Sequence, residues 1–528
     1  MLQHSKIDMI FKSLRDVVVV GDNDMVILDM NRSACDFFGW SVEEVRGKSI
    51  TFLIPKYPLD VSDGTVTLVA RLKNSVDIPV VIQSTRDPHA SMVGWTILPI
   101  ILPRVFDFGV HMNLRAALTP KLSVDDLDFQ SRRVFVRVDF NVPFDKATQN
   151  IRDDSRIRAS IPTIMKIVRD GGRVIVASHL GRPKKPDDRH SLKRILPRFE
   201  ELLGKKVVFC PSLEEAPRIV NAMKNGEVML LENLRFFPGE DATHTVERNR
   251  MALKLASFID IYVCDAFGTV HRMTASMTGL PRILGAGVTG YLIDREIRAI
   301  SMAMHNPTLP LLCIVGGAKV SDKITVLSSI MNFAQTIIIG GAMAYTFLEA
   351  QGHSCGNSRV ERTAREKGRD LDLHAIAREL IDRARAKKVR IILPVDHNCA
   401  KSFSNEVPFT TSGADIPDGY MALDFGPKTN AICSKAVAEC RTLLWNGPVG
   451  VFEFSNFATG TVSLAEAIQR NDRLVSIVGG GETAAATKRY KSSITHTSTG
   501  GGAFLELLQG KALPGLICLT AQAEPRLW

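Results

Sequence analysis

The chain has 528 residues, too many for one core, because cores stop growing beyond roughly 250–300 residues, so two or three domains are expected. Its composition, 45% hydrophobic and 23% charged, is that of a globular protein, and no apolar run approaches the ~18 residues that a membrane-spanning helix needs. The net charge of +10 is uneven: residues 1–112 are slightly acidic, the remainder strongly basic, and no Lys/Arg run interleaved with aromatics suggests nucleic acid.

In chain order, Val17–Val20 and Met25–Met30 flank the turn residues Gly21-Asp22-Asn23-Asp24 and predict a hairpin. A short helix is expected over Ser33–Phe38, closing at Gly39, and a second begins at Ser41, with Glu43 and Glu44 in its first turn. Strands are expected at Thr65–Arg71, Ile78–Thr85 and Trp95–Leu102. From Arg133 onward, apolar strands alternate with amphipathic helices: Val134–Val138, a helix with Ile157, Ile161, Ile164 and Val168 on one face, Val174–Ser178, then a helix from Ser191 to Leu203 stopped by Gly204. A long helical stretch over Val288–His305 interrupts the rhythm. It resumes at Leu311–Val315, Thr336–Ile339, Val389–Leu393, Thr442–Trp445 and Leu474–Val478. Such alternation implies parallel sheets covered on both faces. The predicted class is therefore α/β: two doubly wound, Rossmann-like domains joined by a hinge, after a small α+β domain.

Ligands of open parallel sheets bind outside the carboxyl ends of the strands. In the first half those exits are cationic. R-V-D-F-N-V-P carries Arg137, Asp139 and Asn141; Arg156 opens the next helix; S-H-L-G-R-P carries His179 and Arg182; E-N-L-R-F carries Arg235; D-A-F-G-T-V-H-R carries His271 and Arg272. Guanidiniums gathered at one edge would repel one another unless an anion sits among them, and Arg suits phosphate and carboxylate. In the second half the exits are glycines: Gly316-Gly317-Ala318-Lys319, Gly340-Gly341, Gly447 with Gly450, and Gly479-Gly480-Gly481 followed by Glu482-Thr483. Glycine lets backbone approach phosphates closely, and Lys319 and Lys323 can neutralise a transferring group. An anion-binding half beside a nucleotide-binding half suits phosphoryl transfer, which needs positioning and charge neutralisation.

Two resemblances sharpen this reading. V-V-V-V-G-D-N-D-M-V-I-L-D-M-N, A-C-D-F-F-G-W-S-V-E-E-V-R-G-K and the following Leu53-Ile54-Pro55 resemble the PAS fold, assigned here to residues 8–112. Its histidines (His4, His89, His111) lie away from the helical middle, and Cys35 lacks a flavin-reactive N-C-R-F context, so neither haem nor flavin is expected. A sensor that modulates the rest of the chain and an interaction or dimerisation module both remain open, with ligand or partner unspecified.

The motifs above, with G-G-A-K-V-S-D-K, L-W-N-G-P-V-G-V-F-E, G-G-G-E-T-A and S-T-G-G-G-A, resemble the phosphoglycerate kinase family from about Lys121 to Gly515. The resemblance implies a linker at 113–120, a phosphoglycerate-binding domain at 121–300, a nucleotide-binding domain at 301–500, and a segment 501–528 returning to the first lobe. It implies that Asp139, Asn141, Arg156, His179, Arg182, Arg235 and Arg272 hold 3-phosphoglycerate or 1,3-bisphosphoglycerate, with Arg156 also stabilising the acyl phosphate. Lys319 would guide the phosphoryl group and Lys323 the α-phosphate of ATP or ADP. Gly317, Gly340, Gly341 and Pro448 would line the adenine pocket, Glu453 would take the ribose, and Asn446, Gly480, Gly481 and Thr483 the phosphates. Glu482 stands where the family has the Asp that holds Mg2+; Cys264 and Ala342 are further departures, from Asn and Gly.

Fusions of PAS to this kinase resemble those of kinetoplastid protists, whose other isoforms are cytosolic or glycosomal. A cytoplasmic monomer is expected: the scattered cysteines suit a reducing compartment, no secretory signal opens the chain, and it does not end in an S-K-L address. The D-F-G tripeptides at Asp107–Gly109 and Asp424–Gly426 lack the other protein-kinase motifs, and no P-loop occurs. A rival reading is a non-catalytic signalling protein that binds nucleotide on the same fold. The Glu482 departure favours it, and the intact lysines and arginines oppose it.

Overall fold

A computed structural model describes residues 17–22, 24–31, 34–35, 40–54, 64–71, 77–87, 92–99, 117–145, 147–304, 307–366 and 368–521. The N-terminal part is one antiparallel sheet of β1 (Val17–Asp22), β2 (Ile27–Met30), β3 (Gly64–Arg71), β4 (Asp77–Asp87) and β5 (Met92–Pro99), in the order β2-β1-β5-β4-β3. The hairpin β1–β2 forms as expected, with Val19 opposite Met30. Ser41 and Glu44 form a reciprocal capping box: Glu44 N donates to Ser41 Oγ (3.4 Å), and Ser41 N to Glu44 Oε2 (2.9 Å). Val19, Met25, Ile27, Val45, Ile50 and Leu53 pack in a buried cluster. Of the helix expected over Ser33–Phe38, residues 34 and 35 are helical; 33 and 36–38 lie outside the described residues. The strand expected at Trp95–Leu102 runs from Met92 to Pro99, and 100–102 also lie outside.

The next sheet holds β6 (Arg133–Val138), β7 (Arg173–Ala177), β8 (Val207–Cys210), β9 (Val228–Leu231), β10 (Ile261–Asp265) and β11 (Val288–Thr289), all parallel, in the order β11-β10-β6-β7-β9-β8. Its strands are mostly apolar, as suits a sheet covered on both faces; Val134, Phe135, Val136 and Val138 are all buried, and Arg133 and Arg137 are the charged residues of β6. A second sheet, also parallel, is built from β12 (Leu311–Val315), β13 (Thr336–Ile339), and, beyond the hairpin of β14 (Thr363–Glu366) and β15 (Arg369–Asp372), β16 (Arg390–Ile392). After β17 (His397–Ala400), β18 (Phe409–Ser412) and β19 (Met421–Phe425) it is completed by β20 (Thr442–Asn446), β21 (Val475–Gly479) and β22 (His496–Thr497). Its order is β16-β13-β12-β20-β21-β22, while β17, β18 and β19 make a small antiparallel sheet of their own. The two small sheets were not expected; strands of about four residues carry too little periodicity to announce themselves.

Register decides what the sheets can do. Val138 pairs with Asp265 and Arg137 with Ala177, so the chain leaves β6, β7 and β10 at one edge. Val315 likewise pairs with Ile339 and Asn446, and Asn446 with Gly479, which aligns the glycine turns.

The helix expected over Val288–His305 begins only at Tyr291; Val288 and Thr289 are a strand beside β10, and residue 305 lies outside the described residues. Asp265 makes the break. Its Oδ1 accepts from Leu292 N (2.9 Å) and Ile293 N (3.4 Å), while Thr163 Oγ1 accepts from Tyr291 N (2.9 Å), so the first helical N–H groups find partners off the helix. Gly290 is required here, because a Cβ would lie 2.2 Å from Asp265 Oδ1. At the far end of the chain, Ala521 bridges Lys121, and Leu122 N donates to Thr520 O (2.9 Å).

Burial pushes the Asp265 carboxyl up to about 7, well above its unfolded value. A raised carboxyl stabilises the fold fully below about pH 4, and that contribution is lost as pH climbs to 7. Asp265→Asn keeps an oxygen for the helix but cannot titrate. Its unfolding free energy should therefore fall less between pH 5 and 7 than that of the unchanged chain, by roughly 2 kcal/mol, read from denaturant unfolding at each pH. Asp424, pushed to about 7 by its own burial, continues to titrate in the variant. Parallel pH profiles for the two proteins would contradict this account.

Candidate active site

The cationic residues predicted at the first sheet's edge do converge. His179, 6% exposed, follows β7, and its ring is held well below the usual imidazole range first by burial. The next influences, in descending order, are Arg137, Arg235, Arg272 and Arg156, all pushing the same way. Four guanidiniums therefore act on one neutral imidazole. Asp139 meets this group: its Oδ2 lies 3.0 Å from Arg156 Nη1 and its Oδ1 3.9 Å from His179 Nδ1. Arg156 Nη1 also donates to Asn141 O (2.9 Å), and Gly181 N to Asn141 Oδ1 (2.9 Å), joining the loops after β6 and β7.

The loop after β9 braces that cluster through residues the sequence reading quoted within a motif but gave no role. Buried Asn233 donates from Nδ2 to Leu180 O and His190 O (both 2.8 Å), and its Oδ1 accepts from Arg235 N (3.1 Å). Arg235 Nη1 donates in turn to Gly181 O. Glu232 accepts from Ser191 Oγ (2.6 Å) and Leu192 N (2.8 Å). Two loops thus become one rigid rim. Arg182 is exposed on that rim, and His271 packs near Gly502, with burial lowering its ring pKa.

The glycine edge interlocks by backbone. A Cβ on Gly316 would lie 2.0 Å from Pro448 O, so no other residue fits where β12 and β20 end together. Gly480, at φ +99°, turns the chain so that Asn446 Nδ2 reaches Gly479 O (3.0 Å) and Thr483 Oγ1 accepts from Gly447 N (2.8 Å). Lys323 Nζ donates to Asn446 Oδ1. Burial lowers the Lys323 pKa, opposed by the carboxylates of Asp322 and Glu482, which places Glu482 within electrostatic reach of that lysine. Gly317, Gly340, Gly341 and Pro448 gather around this seam: Gly341 N donates to Val449 O (2.9 Å) and Met343 N to Gly317 O (3.0 Å). Lys319, Glu453, Gly481 and Glu482 are exposed on the same loops.

The two edges are tied through a residue that was not anticipated. Glu296, fully buried on the Tyr291–Met304 helix, lies 2.8 Å from His496 Nε2 of β22 and accepts from Thr499 N (2.7 Å) and Thr499 Oγ1 (2.8 Å). Thr499 O in turn borders Gly268, as does Asp139. A glutamate on the apolar face of a helix was the available signal, since such a charge needs a partner.

Comparison with known proteins agrees with this geometry. Residues 124–511 match the model of the phosphoglycerate kinase family, and residues 5–83 that of the PAS fold. The glycosomal phosphoglycerate kinase of Crithidia fasciculata is 45% identical over 425 residues, covering 76% of this chain and 91% of its own length. The Clostridium novyi enzyme is 44% identical over 410 residues, covering 76% and 98%. The solved phosphoglycerate kinase of Coxiella burnetii superposes with a TM-score of 0.68 at 36% identity, over 77% of this chain and all of its own. With its family model spanning most of its length and its paired sheets ending in these two edges, the chain belongs to the phosphoglycerate kinase family and carries a PAS fold ahead of the kinase.

Proposed function

We propose that the chain catalyses reversible, Mg2+-dependent phosphoryl transfer between 1,3-bisphosphoglycerate and ADP, giving 3-phosphoglycerate and ATP. The observation that carries this is the cationic edge after β6, β7 and β10, where Arg156 Nη1 lies 3.0 Å from Asp139 and the charges of Arg137, Arg235, Arg272 and Arg156 all act on buried His179, a character suited to a multiply charged small anion. Asp139, Asn141, His179, Arg182, Arg235 and Arg272 hold the phosphoglycerate. The acceptor carboxylate is already an anion, so the site needs no strong base.

Arg156, held by Asp139 and Asn141 O, presents charge to the acyl-phosphate oxygens as the bond breaks. Lys319 accompanies the phosphoryl group and Lys323 the α-phosphate. Asn446, Gly480, Gly481 and Thr483 take the phosphates, Gly317, Gly340, Gly341 and Pro448 the adenine, and Glu453 the ribose. Mg2+ binds through one or two carboxylates plus substrate phosphates. An exposed Glu482 beside Lys323, with no cluster of three metal-ligating side chains among the described residues, fits an ion that arrives with the nucleotide. Bound there, it would neutralise phosphate charge.

In this reading residues 8–112 are a PAS sensor and 113–120 the link. Residues 121–300 and 301–500 are the two kinase domains, 501–528 return to the first, and the kinase acts as a monomer in the cytoplasm. Relatives named as cytosolic and glycosomal enzymes are matched over 86–99% of their own length by 76% of this chain.

A coupled assay with 1,3-bisphosphoglycerate, ADP and magnesium tests the activity; turnover at background would instead favour a nucleotide-binding signalling protein. In that assay Arg156→Ala should lower kcat by roughly 10²–10³. Retained turnover would remove Arg156 from the mechanism. Asn233→Ala, which frees the rim from two carbonyls and from Arg235 N, should raise KM for 3-phosphoglycerate about tenfold, the scale of 1–3 kcal/mol for broken buried hydrogen bonds. KM for ATP should not move, and an equal rise in both would count against the assignment. Regulation by the PAS domain predicts different kinetics for the full chain and residues 113–528; identical parameters would discard it.

A further inference from the structure

We propose that Glu361 is a positioning residue for the transfer step, holding the Lys319–Lys323 loop in register through Ser321. The inference rests on reading that loop as the one that handles phosphate. Glu361 Oε2 accepts from Ser321 N (3.0 Å), and Glu361 Oε1 from Ser321 Oγ (2.6 Å). Two acceptors on one rigid carboxylate against two donors of one residue set both the place and the tilt of that residue. Ser321 lies midway between Lys319 and Lys323, so a swing of its peptide moves both lysine Cα atoms.

The other ties on the loop do not supply this restraint. Gly316 N donates to Asn446 O (2.9 Å) and Met343 N to Gly317 O (3.0 Å) at the start, Val320 is buried, and Lys323 N donates to Val320 O (2.8 Å) at the end. The stretch from Gly317, at φ +144°, to Lys319 is partly or fully exposed. Glu361 is itself fixed from the opposite side. Its N donates to Thr346 Oγ1 (3.0 Å), and Thr346 Oγ1 donates to Glu361 O (3.3 Å). Thr346 is fully buried on the Met343–Ala350 helix that follows Gly340-Gly341. Glu361 thus links the turn assigned to adenine with the loop assigned to phosphates, and its neighbour Arg362 is engaged elsewhere, with Glu349 (2.7 Å).

The test uses the full chain and separates kcat from both KM values. Glu361→Ala should lower kcat about tenfold or more, the order expected when reacting groups lose register. KM for ADP should rise severalfold, and KM for 1,3-bisphosphoglycerate should stay within twofold. Glu361→Gln should recover most of the loss, since its amide oxygen can accept from Ser321 N while its amide nitrogen donates to Ser321 Oγ. Should Glu361→Ala fail to fold, Ser321→Ala, which keeps the backbone N–H hydrogen bond to Glu361 and loses only the hydroxyl, should show a smaller shift of the same parameters. A folded Glu361→Ala with unchanged kcat and ADP KM overturns the proposal. So does a loss that follows the folded fraction, with neither KM moved and no recovery in Glu361→Gln. Absence of turnover in the unsubstituted chain would remove the kinase reading itself, a result separable from failure of Glu361 alone.

Discussion

The charges of four guanidiniums acting on one buried imidazole are the constraint on which the edge of the first parallel sheet is built. Like charges repel, and in a partly buried site the repulsion is poorly screened. The protein lowers that cost from two directions. His179 is kept neutral, so it adds no fifth charge, and Asp139 sits at 3.0 Å from Arg156. What remains is a positive field that an anion would lower. The rim of Asn233, Glu232 and Asn141 has the same logic: a cluster that repels itself spreads unless neutral hydrogen bonds fix the loops that carry it. Rigidity here serves binding, because arginines already in place need not be ordered by the ligand.

Charge also joins the cationic edge to the glycine edge. Glu296 is fully buried, and a buried carboxylate is tolerated only with good partners. It has three: the ring of His496, Thr499 N and Thr499 Oγ1. The helix carrying it starts on Asp265, at the end of β10, and its middle is bound to β22 and the turn after it. One helix therefore has a buried carboxyl at each attachment, a different strand's end at each, and Gly268 between Asp139 and Thr499 where the edges approach. A movement that separated the edges would have to break bonds to Glu296, so this carboxylate is the point at which the relation between them can be altered.

The sequence was most legible where chemistry and periodicity coincide. Apolar strands such as Val134–Val138 and Leu311–Val315 announced parallel sheets, and the charged or glycine residues directly after them announced the two edges. Less legible were parts whose meaning depends on distant partners. Asn233 and Thr499 lay inside quoted motifs, yet nothing in their spacing says that one will span the loops after β7 and β9 or that the other will face Glu296. Val288 and Thr289 read as helix because they directly precede an amphipathic run. They are a strand because Asp265, 23 or more residues upstream, takes the helix's first N–H groups. Strands β14, β15, β17, β18 and β19 are short, and tertiary pairing decides them.

The departure at Glu482 is best judged by what surrounds it. An Asp replaced by Glu in a tight cage would displace its ligand by about the length of one methylene, which close-packed sites seldom absorb. Glu482 is in no cage: it is exposed, it follows a Gly480 turn whose geometry is fixed by Asn446 and Thr483, and it still acts electrostatically on Lys323. The frame of this turn is thus backbone and buried side chain, and the changed residue hangs outside it. An exposed carboxylate on a rotatable stem can draw back by choosing another rotamer, at the entropic cost of ordering one longer side chain. The substitution therefore bears on how firmly an ion is held beside the nucleotide, whereas the arrangement of Asn446, Gly480, Thr483 and Lys323 does not depend on it.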